Sequence, residues 1–217
     1  MGWWDRLRGG KAPAGTEPSV RSIRLNMPGW RLAEMGEQRV YWQDGDGDTL
    51  SLATMPGVLR FSDEQAMRNE CRGVAEDRGG GLIEAAELDG PRGLVVMFIY
   101  KRLLLPAYVY TGILYMPLET ISYVWTMVAG EHGTTGIREA TVTVQLINEG
   151  RLTAHTYESL WAQDPYDPAY CGVDPRTLRC LSDDESYDAQ FPHHPLSRVR
   201  RVLRAIPGSI EFDSNPS

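Results

Sequence analysis

The sequence predicts an α+β fold, an antiparallel sheet with helices packed on it, and three observations carry that reading. Residues 82–88, 93–102, 107–116 and 120–128 are rich in β-branched and aromatic side chains, and turn-forming Asp89-Gly90-Pro91, Pro106 and Pro117 separate them. A capped stretch with apolar residues at three- and four-residue spacings precedes this run, starting at Ser62. A second helix-like stretch follows it, between Thr134 and Gly150.

At 217 residues, 42% hydrophobic and 24% charged, the chain suits one folded main domain, so disorder and disulfide-dense scaffolds are poor descriptions. Residues 1–20 read as a flexible segment. There Trp3, Trp4 and Leu7 beside Arg6 and Arg8 would make one turn of an interfacial helix, a possible membrane-surface contact, although simple fraying is the plainer reading. No apolar signal segment follows, and Arg6 breaks the myristoylation pattern.

The core domain is expected over 21–150. It opens with a strand at 22–25, a turn at Pro28-Gly29, and a hairpin in which Asp44-Gly-Asp-Gly-Asp48 joins 40–42 to 49–52. Ser62 is the expected N-cap, with Gln65 at the capping-box position. Ala66, Met67, Cys71, Val74 and Ala75 mark the buried stripe, and Gly79-Gly80-Gly81 is the stop. The four long strands and the helix ending near Gly150 complete this domain.

Residues 151–217 read as an irregular extension, an extended loop and a C-terminal helix packed on the core. Asp164-Pro165, Asp167-Pro168 and Asp174-Pro175 favour turns, so 151–194 is expected to be a long surface excursion with a solvated acidic run at Asp183-Asp184-Glu185. Ser197 is the expected cap of a helix carrying Leu196, Val199, Leu203 and Ile206, ended by Pro207-Gly208, with 209–212 as a small anchor.

A net charge of -7 disfavours a broad electrostatic grip on nucleic acid, and the odd count of three cysteines suits a reducing, cytoplasmic setting. The acidic hairpin imitates an EF-hand opening, but Thr49 and Met55 stand where the loop needs Gly and Glu. Cys171, Cys180, His193 and His194 have metal-ligating chemistry without zinc-finger spacing, so neither metal nor cofactor is expected.

Cys71 or Cys171 with His132 or His155 would make a nucleophile and base, yet no nucleophile elbow, zincin helix or P-loop is present, and Cys71 is better read as core. Tyr108, Tyr110, Tyr115, Tyr123 and Trp125 would line a groove or, more simply, pack the sheet. Arg198, Arg200, Arg201 and Arg204 are the candidate interaction residues besides Trp3 and Trp4. They would receive an acidic partner or pair internally with the acidic 183–188 run.

The order of short strands, a helix after Phe61-Ser62-Asp63-Glu64, long antiparallel strands and a further helix, with Asn26-Met-Pro-Gly-Trp30 near the opening, resembles the Mog1/PsbP-like fold over residues 21–150, including small bacterial DcrB-like proteins. That resemblance implies a non-catalytic accessory or adaptor protein. The expected function is binding of another protein through the sheet face or the 151–194 excursion. The rival is a small-molecule-binding protein or hydrolase whose site is assembled from sequence-distant residues, with His132, His155 and His193 as its histidines.

Overall fold

The computed structural model describes residues 19–172 and 174–212. The expected tail with Trp3 and Trp4 therefore lies outside the described residues.

Seven strands form one antiparallel sheet in the order β2-β3-β4-β8-β7-β6-β5: β2 (Arg31–Met35), β3 (Arg39–Gln43), β4 (Thr49–Pro56), β5 (Gly81–Gly90), β6 (Gly93–Leu104), β7 (Ala107–Pro117) and β8 (Ile121–Gly130). Two ribbons flank it, β1 (Ile23–Leu25) with β11 (Ile210–Phe212), and β9 (Ala162–Gln163) with β10 (Arg179–Cys180). The helices are α1 (Glu64–Asp77), α2 (Ile137–Asn148), the short α3 (Tyr157–Leu160) and α4 (Pro195–Ser209).

The sheet is sandwiched, which is why its central strands are apolar on both alternating sets of side chains. On one face α1 buries Met67, Cys71, Val74 and Ala75 against Phe98, Tyr100 and Tyr115. On the other α4 buries Leu196, Val199, Leu203 and Ile206 against Tyr110, Leu114 and Trp125. Gly112 permits that second contact, because a Cβ there would run into Val199 and Leu203. A satellite cluster joins Val142 and Leu146 of α2 to Leu152, Trp161 and Phe191.

Several expectations need correction. Strand β2 was not anticipated; all five of its residues are exposed, so no buried alternation marks it. Asp63 rather than Ser62 caps α1, its Oδ1 accepting from the Ala66 N–H at 2.8 Å while the Ser62 hydroxyl donates to Asp63. His194 caps α4 with Pro195 in its first turn, and Ser197 lies inside the helix. The helix also runs past Pro207 to Ser209, held there by the Asn26 N–H, which donates to the Ser209 carbonyl at 2.8 Å.

The largest correction concerns 151–194, which is not a surface excursion throughout. Leu152, Asp164, Thr177, Leu178, Cys180, Ser182 and Asp183 are buried. Asp164 takes a bidentate bond from Arg72 of α1 (2.9 and 2.7 Å), and Tyr166 both donates to and accepts from the Ala85 backbone, covering edge strand β5. Helices cover both faces of the long strands, so the sheet face expected to bind a partner is not free there.

Candidate functional site

Two polar clusters lie side by side where the C-terminal third of the chain closes over the sheet. Strand β6 supplies Lys101 and β7 supplies Tyr110, directly opposite it in register. The 3-10 turns after β10 supply Ser182 and Asp183, the residue after β8 is Glu131, the first turn of α2 supplies Arg138 and Glu139, and the cap of α4 supplies His194.

The first cluster is closed. Lys101 Nζ donates to Asp183 Oδ2 at 2.6 Å and lies 3.3 Å from Cys180 Sγ, while Tyr110 donates to Asp183 Oδ1 at 3.3 Å and the Cys180 N–H to Oδ2 at 2.9 Å. Burial opposes both charges, but their mutual attraction and hydrogen bonds outweigh it: the Lys101 ammonium is held charged and the Asp183 carboxyl is held at about 2. Burial, with the Asp183 charge adding to it, pushes the Cys180 thiol up to about 11, so it is a neutral hydrogen-bonding group and no nucleophile.

Arginines brace this cluster from above. Arg138, wholly buried, donates to the Ser182 and Asp184 carbonyls (2.6 and 2.9 Å) and to Ser197 Oγ at 2.8 Å, and pairs its charge with Asp188 at 2.9 Å. Arg200 pairs with Glu84 (2.6 Å) and Asp188 (3.0 Å), and Arg198 forks onto Asp48 (2.7 and 2.8 Å). The acidic hairpin thus spends its last carboxylate on α4.

The second cluster is open. His194 Nε2 lies 3.8 Å from Glu131 Oε1 and 3.9 Å from Glu139 Oε1. Glu131 accepts from the Gly136 and Tyr108 N–H groups (2.9 and 3.3 Å), but both Glu139 oxygens and His194 Nε2 are buried without a hydrogen-bond partner. Burial raises the Glu139 carboxyl, with Asp183 and Glu131 adding to the shift, and burial with Arg138 pushes His194 down to about 3. Beside Glu131 and His194 opens a cavity of about 440 Å³ also lined by Arg138, Phe191, His193 and Arg198; Glu139 borders a second, of about 290 Å³, with Lys101, Tyr108 and Trp161.

Of the four arginines singled out from the sequence, Arg198 and Arg200 are buried and spend their donors inside the protein, because Asp48 and Glu84 reach them from the sheet. Arg204 pairs with Glu185 and Glu84 at the surface, and Arg201 is exposed with one bond to the Pro192 carbonyl. His132 and His193 meet at the larger cavity, which His155 does not line. All three cysteines are unpaired; Cys71 sits in the α1 core with its thiol pushed up to about 12. Sequence reasoning missed Lys101, Glu131, Glu139 and Asp183 as a group, although a lysine inside an apolar strand run was the available signal.

No family model matches the chain, and no curated protein matches it. Among solved structures it is similar to the Saccharomyces cerevisiae Ran-binding protein Mog1p, at 13% identity and a TM-score of 0.39, over 63% of this chain and 82% of that one. The likeness is weak and concerns the fold alone; it agrees with the Mog1 part of the layout read from the sequence and does not reach the DcrB-like proteins. Among the described residues, no helix is long and apolar enough to cross a membrane.

Proposed function

We propose that this chain is a non-catalytic, cytoplasmic accessory protein that docks a protein partner on the outer side of α2 and on α3 at the start of the 151–194 segment. One observation carries the reading: Ile137, Val144 and Ile147 of α2 are 52%, 58% and 50% exposed, while Arg138, Val142 and Leu146 face inward. The helix is thus apolar on two sides, and only one is used internally. Tyr157 and Leu160 of α3 add exposed apolar area, and three unpaired cysteines suit a reducing compartment. Covering each aliphatic side chain contributes roughly 1–2 kcal/mol, enough for a moderate interface once polar rim contacts join.

The test is affinity capture from native extract with the full chain, with V144E/I147E and with R201E as the surface control. A partner that binds the parent and R201E but is lost in V144E/I147E is the expected result. A partner retained by V144E/I147E at parental affinity overturns the reading. Ligand binding is the second reading, favoured by the cavity of about 440 Å³ beside buried Glu131 and His194.

A further inference from the structure

We propose that Glu131, Glu139 and His194 form a binding site for a divalent first-row transition-metal ion, with an open coordination position facing the larger cavity. This gives the second, ligand-binding reading a chemical class and owes nothing to the docking reading.

The unsatisfied atoms come first. His194 is 7% exposed in its side chain, and its Nε2 has no hydrogen-bond partner; neither has either oxygen of Glu139. Buried polar atoms are rarely left alone, because each one loses its water without gaining a partner. Two of the three grouped side chains thus carry unsatisfied buried atoms, and Glu139 Oε1 lies 3.9 Å from His194 Nε2, which marks a place for a ligand.

Charge then narrows its class. Among the described residues the only ion-pair contact of Glu131 or Glu139 is His194. The nearby cations are committed elsewhere: Lys101 to Asp183, Arg138 to Asp188 and Arg198 to Asp48. Two part-buried carboxyl groups with no paired cation can take one up. The neighbouring trio of Glu139, Cys180 and Asp183 also has ligand-like spacing, but there the Lys101 ammonium already sits against Asp183 and Cys180.

Geometry and donor type choose a metal over an organic ammonium. The three ligand atoms lie within 4.8 Å of one another, with two edges of 3.8 and 3.9 Å. A point equidistant from such a triangle is roughly 2.1–2.5 Å from each corner, close to metal–oxygen and metal–nitrogen bond lengths. The imidazole suits zinc or iron and the two carboxyl groups suit manganese, and three protein ligands beside a cavity leave a position for water or a bound molecule.

Ligation has a local cost. His194 Nδ1 accepts the Leu196 N–H at 3.3 Å, so in the metal-free protein the ring proton is on Nε2. Binding through Nε2 moves that proton to Nδ1 and gives up the cap bond, a loss that is small beside the binding of a well-held transition-metal ion. The metal wins, and the change of tautomer is its signature.

The test uses the full, metal-stripped chain titrated with Zn²⁺ and Mn²⁺ by calorimetry, with ¹⁵N-histidine NMR on the same samples. One equivalent of either ion, bound with a shift of His194 from the Nε2–H to the Nδ1–H form, is expected. E139Q and H194N should each weaken binding at least 100-fold; Asn retains a capping oxygen, which guards against loss of the fold. C171S, which replaces an exposed thiol outside the cavity lining, should bind as the parent does. No stoichiometric ion at millimolar concentration, or parental affinity in both E139Q and H194N, overturns the proposal. Should those variants fail to fold, the tautomer of His194 in the parent decides: an unchanged Nε2–H form with metal present sinks the idea. A chain that takes no metal yet binds an organic molecule in the cavity keeps the ligand-binding reading and ends this one.

Discussion

The two polar clusters share a neighbourhood and much of their chemistry, yet one is complete and the other is not. Around Lys101, Asp183 receives four donors and its charge is matched by the ammonium, so every group has a partner within the protein. Around His194, two carboxylates and an imidazole face one another with no cation and with unsatisfied atoms. A buried ion pair joining β6 to the C-terminal segment acts as structure; a buried set of acceptors without a cation, opening on a cavity, has the makings of a site.

The comparison breaks most visibly at Lys101. Replacing it by Met leaves Asp183 buried without its counter-charge, and urea denaturation should show a loss of about 3–5 kcal/mol. If Asp183 is replaced by Leu in the same chain, much of that loss should return, because the stranded charge is gone. Full loss in the double variant would mean that the segment is held by packing rather than by the pair.

Acid separates the clusters next. His194 is held at about 3 when folded, below its ordinary 6.5, so the unfolded chain takes up a proton that the folded chain refuses. Stability should therefore fall as pH drops from about 6.5 toward 3, by up to about 1.4 kcal/mol per pH unit, and H194N should flatten that slope in metal-free protein. Asp183 is held at about 2, below 3.8, so its contribution is present above pH 3.8 and disappears only between 3.8 and 2. A single acid transition starting below pH 4 would contradict the assignment of the upper window.

The smallest effect belongs to Tyr110→Phe. Its hydroxyl is one of four donors to Asp183, at a long 3.3 Å, so its loss should cost about 1 kcal/mol and leave the Lys101 pair intact.

The long strands and α1 were legible because β-branched and aromatic runs between turn residues, and an apolar period of 3.6, are local. The clusters were not, because their members come from residues 101, 110, 131, 139, 183 and 194, joined only by folding. Arg198 and Arg200 illustrate the limit. Charge on a short helix reads as surface, and nothing near them in sequence announces that Asp48 and Glu84 will meet them from the sheet. Likewise the Asp-Pro pairs correctly signalled turns in 151–194 but could not say that Asp164 would be spent on Arg72. Strand β2 was silent for the opposite reason, being exposed throughout.

The ribbon of β1 and β11 sets Ile23 opposite Phe212, antiparallel, at the two ends of the described fold. Chain entering at Ile23 and chain leaving at Phe212 therefore share one exit point. A circular permutant with the flanks linked there and new ends cut in an exposed loop should fold, whereas two reporters fused at opposite ends would crowd each other rather than span the molecule.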